Sequence, residues 1–174
     1  MINTIIENDF LSILTEELLP AMGCTEPIAL AFAAARAREV LGQIPERLVA
    51  RCSGNIVKNV RCVLIPNSGG MVGIQAAVVL GALGGDAGRR MEVLETVTQA
   101  HRDHAASFID AGCCKVEFLE SEIPLHFIIE AYAGNDSVEV ETRHSHTNIV
   151  SIRRNQVEIF TAAGELNNAE AADG

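Results

Sequence analysis

Ile28-Ala29-Leu30-Ala31-Phe32-Ala33-Ala34-Ala35 is a run of eight residues without a polar side chain. Its composition is helical, and Gly42 supplies a stop, so the segment Ile28 to Leu41 reads as one helix. A helix apolar on every side has no face to give to water and must sit at the centre of the fold. The chain has no Trp, one Tyr and six Phe. The core around that helix must therefore be built from Ala, Val, Ile and Leu. A length of 174 residues is enough for one domain with such a core.

The other elements follow in two blocks. Asn8 to Leu19 reads as a helix, capped by Asn8 or Asp9 and stopped by Pro20. After Pro45, Arg47 to Cys52 and Arg61 to Ile65 read as strands, with Ser53 to Asn59 as a loop between them. Pro66-Asn67-Ser68-Gly69-Gly70 carries turn chemistry. Ile74 to Leu83 is a helix of small apolar residues, and a further helix is predicted from Met91 to Ala111, with Gly112 as its stop. Then the character changes. Lys115–Leu119, Leu125–Ala133, Ser137–Arg143, Asn148–Arg153 and Gln156–Thr161 read as strands, with turn signals at Gly134-Asn135-Asp136 and Arg154-Asn155. Helices followed by strands predict an α+β fold with a largely antiparallel sheet. Residues 1–164 form the expected domain, and the acidic, small-residue stretch 165–174 reads as a linker or frayed end.

A net charge of −10 argues against a nucleic-acid partner and against an anionic membrane surface. The longest apolar stretch, Ile74 to Leu83, is too short to span a bilayer. The N-terminus lacks the progression of a secretory leader. The five cysteines, Cys24, Cys52, Cys62, Cys113 and Cys114, are odd in number and contain no Cys-x-x-Cys. A reducing cytoplasm suits that pattern.

Chemistry concentrates in four places. Met22-Gly23-Cys24-Thr25-Glu26-Pro27 sets a thiol directly before a helix start, where the dipole favours a thiolate ready to attack or to bind a metal. Thr25 can cap the first turn, and Pro27 fits there. The plainer alternative is a small cysteine packed beside a helix cap. Asn55, Lys58 and Asn59 can bind a carboxylate, or form a solvated turn. The loop through Gly70 and Gly73 leads into a helix and can offer amides to an anion, or simply turn the chain. His144-Ser145-His146-Thr147-Asn148 puts two imidazoles on one strand face, as a metal pair or as surface histidines. His101 and His104 share a solvated helix face, and Cys113-Cys114 fills space beside a turn.

The strings PAMGCTEPIALAFAAA, GNIVKN, IPNSGGMVGIQAAVVLGALGG and HTNIV occur here in one order. In that order they resemble the L-serine dehydratase alpha-like, L-cysteine desulfidase-type proteins, many bacterial members of which carry only an uncharacterised-family name. The resemblance covers residues 14 to 161 and reaches only the N-terminal portion of those longer proteins. It implies a cytoplasmic 4Fe–4S lyase that gives pyruvate and ammonia from a small amino acid, L-cysteine or L-serine. In such a cluster the open iron acts as a Lewis acid. By the resemblance, Cys24 is a cluster ligand or reactive thiol and Lys58 is catalytic. Thr25, Glu26, Asn55, Asn59, Gly70, Gly73, His146 and Asn148 line the substrate. Ser145 stands where the family's pattern has glycine. The other ligand cysteines lie in the part absent here, so the resemblance implies a cluster in the full-length enzyme and none in this chain alone. The missing C-terminal domain, or a separate catalytic chain, is the implied partner. Exposed faces of the two apolar helices would favour a homodimer. The alternative function is a non-catalytic assembly module docked on a separate catalytic chain.

Overall fold

The structure is a computed structural model and describes residues 24–162. The expected helix at Asn8–Leu19 and the stretch 165–174 lie outside the described residues.

Helix α1 (Thr25–Leu41) contains the apolar run, and every residue from Pro27 to Ala35 is buried. Gly42 ends it at φ 79°, a left-handed conformation in which its N–H donates to Arg38 O. Strand β1 (Arg47–Cys52), helix α2 (Gly54–Val60) and helix α3 (Gly73–Gly84) follow, then a 3₁₀ segment (Ala87–Thr96) and helix α4 (Gln99–Asp110). The chain closes with β2 (Cys114–Phe118), β3 (His126–Ala133), β4 (Asp136–Arg143), β5 (Ile149–Arg154) and β6 (Val157–Thr161). The α+β class is as expected.

The strands form one six-stranded sheet in the order β2-β1-β3-β4-β5-β6, antiparallel except for the β1–β2 pair. Alternation decides which face is buried. Leu48 pairs with Ala131, Ala50 with Ile129, Cys52 with Phe127, and Ile129 in turn with Val140. These residues all lie on the face that the helices cover and are all buried. The opposite face is charged. There Glu130 and Glu139 sit opposite one another, an unfavourable like-charge pair that Arg51 offsets by reaching both, at 2.5 and 3.3 Å. On the same face His126 contacts Ser121 Oγ at 2.7 Å through Nδ1 and Glu141 at 2.8 Å through Nε2.

Helix α1 is enclosed because β3 and β4 cover one side while α3 and the 3₁₀ segment cover others. The α1–α3 contact is closer than ordinary side chains allow. A Cβ placed on Gly81 would lie 2.2 Å from Ala31 O and 2.6 Å from Ala31 Cα. Only glycine fits between the two backbones.

Three sequence expectations fail. The loop expected at Ser53–Asn59 is helix α2 instead. The strand at Arg61–Ile65 does not form. Ile56 and Val60, four residues apart, are buried as one face of α2, and only an isolated bridge, Leu64 to Val72, remains of the strand. The long helix Met91–Ala111 is broken. Arg90 at φ 51°, ψ −111° kinks the 3₁₀ segment, and Val97 and Thr98 are extended. Thr98 then caps α4: its hydroxyl accepts from His101 N, and His101 Nδ1 accepts from Thr98 N.

Candidate functional site

Cys24 is the last extended residue before α1, at φ −60° and ψ 131°, and its thiol is exposed. Neither it nor Thr25 caps the helix by its side chain; the Thr25 hydroxyl instead turns to Glu26 Oε2 at 3.5 Å. The expected Thr25 cap is thus corrected: Thr25 is already the first helical residue. Cys24 Sγ donates to the same Glu26 Oε2 at 3.3 Å.

That contact reverses the expected chemistry of the thiol. Burial, then the hydrogen bond and charge of Glu26, push the Cys24 thiol above its ordinary range, against the pull of the nearby backbone amides. Burial also works to raise Glu26. Its own backbone amide, the Cys24 thiol, the charge of His146 and the Thr25 hydroxyl outweigh it, so this carboxyl is held below its ordinary range. The negative charge at the positive end of α1 is therefore Glu26, not a thiolate. At neutral pH the pair is a thiol donating to a carboxylate.

His146 reaches this corner from the far end of the chain. It lies in the turn between β4 and β5, half-buried. Its Nε2 is enclosed and has no hydrogen-bond partner among the described residues. Asn148 pins the turn by donating from Nδ2 to Arg143 O at 2.9 Å. The expectation that His144 and His146 share a strand face is corrected. The segment is a turn, with His144 at φ 69°, so strand alternation does not apply.

The remaining sequence candidates are elsewhere. Asn55, Lys58 and Asn59 lie on α2 rather than in a loop, where their spacing puts them on one exposed helix face. Among the described residues no hydrogen bond or ion pair joins them to Cys24. Gly70 is exposed at φ 104°. The loop that contains it closes on itself. Ser68 Oγ accepts from Met71 N at 2.9 Å, Met71 O accepts from Ile65 N at 2.9 Å, and Gly73 N donates to Val63 O at 3.0 Å. The Gly73 amide expected to hold an anion is already committed.

The thiols do not fit a 4Fe–4S cluster within this chain. Cys52 and Cys114 are buried core residues, pushed up to about 12 by burial first and then by neighbouring cysteines. Cys62 is exposed at the end of α2 and Cys113 is half-buried. Among the described residues no group of three or more His, Cys, Asp or Glu side chains could hold a metal ion. No helix among them is long and apolar enough to cross a membrane.

Sequence reasoning missed a cavity of about 540 Å³ beside the His146 turn. Arg36 of α1, Arg90, Thr147 and Asn148 line it, with Phe32 and Phe160 as apolar walls. No spacing signal joins residues so far apart. Arg36 was findable only as the first charge to interrupt the apolar helix. Arg90 holds a backbone conformation that costs a residue with a side chain about 1–3 kcal/mol.

No family profile matches the chain, and no solved structure matches it. It is similar to curated proteins named UPF0597 protein. The one from Treponema denticola is 40% identical over 163 residues, which are 94% of this chain and 38% of that protein. Those from Lachnoclostridium phytofermentans and Fusobacterium nucleatum are 43% and 41% identical, over 86% and 83% of this chain. The chain spans less than two fifths of the length of these relatives. Their shared name marks a distinct uncharacterised family. It overturns the assignment to the serine dehydratase and desulfidase proteins, because none of these relatives carries such a name. The motifs quoted for that assignment lie within the stretch the UPF0597 proteins match.

Proposed function

We propose that this chain is the N-terminal portion of an amino-acid lyase that releases pyruvate and ammonia from L-cysteine or L-serine in the cytoplasm, and that it contributes one corner of a composite site. The observation that supports this reading is the Cys24–Glu26 contact, an exposed thiol held by a carboxylate at the mouth of the buried central helix. Cys24 Sγ must lose its proton before it can bind iron or attack, and Glu26 Oε2, its hydrogen-bond acceptor, fixes where the thiol points until an incoming cation or base takes that proton. A 4Fe–4S cluster belongs to this reading only with thiolates from outside the chain. Asn55, Lys58 and Asn59 enter only where the rest of the longer protein brings their face to the same cleft.

The test is anaerobic pyruvate release from L-cysteine and L-serine by the longest natural form of the protein. Cys24→Ala and Glu26→Gln are each expected to lower it by about 100-fold or more. Unchanged rates in both variants end the proposal.

A second reading, a non-catalytic docking module, is favoured by the edges of the sheet. Phe118 on β2 is 70% exposed, and Val157 and Ile159 on β6 are 64% and 55% exposed. Open edges with exposed apolar side chains pair with other chains. Phe118→Ser and Ile159→Ser abolishing activity while Cys24→Ala spares it selects this reading. Light scattering separates a second copy of the chain from a different partner.

A further inference from the structure

We infer that the cavity between α1 and the β4–β5 turn is a binding site for a small organic anion, a carboxylate or phosphate carried on an apolar body. The inference does not rest on the lyase reading, because no residue of the Cys24–Glu26 contact lines this cavity.

The size comes first. About 540 Å³ lies within the range of small-molecule sites. The chemistry of the walls comes next. Arg36 and Arg90 bring two guanidinium groups to one cavity, and no carboxylate lines it among the described residues. In a chain of net charge −10, two arginines on one concave surface make a local reversal of sign, and such a cleft concentrates anions. The guanidinium fork matches both carboxylate and phosphate through paired hydrogen bonds.

The two arginines are available for that task. Arg90 has no hydrogen-bond or ion-pair partner among the described residues. Arg36 bonds Glu39 through Nη1 at 2.7 Å, but Glu39 is 55% exposed. An exposed pair of this kind holds weakly and leaves the other guanidinium N–H groups free. Thr147 adds a hydroxyl. Asn148 has its Nδ2 committed to Arg143 O, so its Oδ1 faces no partner within the described residues. Phe32 and Phe160 give the apolar body of the ligand its contact surface.

The strain at Arg90 is the independent sign. Its φ of 51° with ψ −111° is an arrangement glycine accepts and arginine resists. Nothing in the 3₁₀ segment itself demands a long cation there. Strained residues persist where the surroundings hold them for a purpose, and clamps on ligands are a common one.

The experiment titrates the full chain with benzoate, phenyl phosphate and inorganic phosphate, by calorimetry and by amide shifts in NMR. Saturable one-to-one binding of at least one probe is expected, with shifts confined to the cavity walls: residues 32–36, the neighbourhood of Arg90, 147–149 and 160–162. Arg90→Gln and Arg36→Gln are each expected to weaken it about tenfold or more, and Arg61→Gln, at a different surface cavity, to leave it unchanged. Tighter benzoate assigns a carboxylate ligand, tighter phenyl phosphate a phosphate ester, and inorganic phosphate binding as well as either assigns a free anion. Absence of saturable binding, shifts spread over the surface, or equal loss in Arg61→Gln overturns the inference. The NMR spectrum also reports whether each variant is folded, so loss of structure is not scored as loss of a site.

Discussion

Gly81→Ala is the substitution whose cost the structure fixes most directly. The added Cβ would lie 2.2, 2.6 and 2.7 Å from the O, Cα and C of Ala31, where ordinary contacts begin at 3.4 Å. The obstruction is backbone, so no side chain can swing away. The helices must part by about 1 Å, and α1 is backed by the sheet on its other side. Overpacking of this kind costs about 1–3 kcal/mol and sometimes more, while the better helix propensity of alanine returns up to about 1 kcal/mol. A net loss of about 2 kcal/mol is expected. For a chain of this length that is a fall in Tm of about 4–8 °C, measured by thermal circular dichroism. Gly54→Ala is the control, since its Cβ would meet only the Phe118 ring at 3.4 Å; its stability is expected within about 0.5 kcal/mol of the parent. A neutral Gly81→Ala refutes the close-packing argument. Rescue by Ala31→Gly refutes it too, because that change removes only a methyl group and leaves the obstructing backbone in place.

Arg90→Gly is expected to raise stability by about 1 kcal/mol by releasing backbone strain; a loss of stability in denaturant unfolding counts against the strain. With a thiol reagent, Cys24 and Cys62 are expected to react in the native state, while Cys52 and Cys114 wait for unfolding; early labelling of either core thiol contradicts their burial. Glu141 lies against His126 and Arg143. Burial raises its carboxyl, but those two neighbours outweigh it and hold it below the ordinary 4.5. The unfolded chain then binds the proton more readily than the folded one. The stability this group adds is full above pH 4.5 and is lost as the pH falls through its lower native value. Glu141→Gln is expected to flatten that part of the acid unfolding curve, and an unchanged curve contradicts it.

Much of the fold was legible because its signals are local or periodic. The apolar run of α1 allowed no surface position. Alternation on β3 and β4 placed Phe127, Ile129 and Val140 inward, and the Arg154-Asn155 turn brought β6 back on β5. Failures came where a tertiary contact overrode a local pattern. Arg61–Ile65 has strand composition, but burial of Ile56 and Val60 made the preceding segment helical and left too little chain to pair. Met91–Ala111 looked like a continuous helix because nothing in the sequence marks the extended Val97 and Thr98 that break it. In the candidate site the Cys24 and Glu26 positions were readable, yet the state of the thiol was not. It depends on burial and on a carboxylate two residues on, itself held low in part by the charge of a histidine some 120 residues away, and only the folded chain shows these. The Arg36–Arg90 cavity had no sequence signature, since its walls come from segments that the fold alone brings together.

The proposed lyase role makes Cys24 one ligand of a cluster whose other thiolates come from outside these 174 residues. Anaerobic iron and sulfide analysis tests it most directly, on the longest natural form, on that form with Cys24→Ala, and on the 174-residue chain alone. The account expects a cluster in the first, its loss in the second and none in the third. A cluster retained after Cys24→Ala, or one assembled by the 174-residue chain alone, contradicts it.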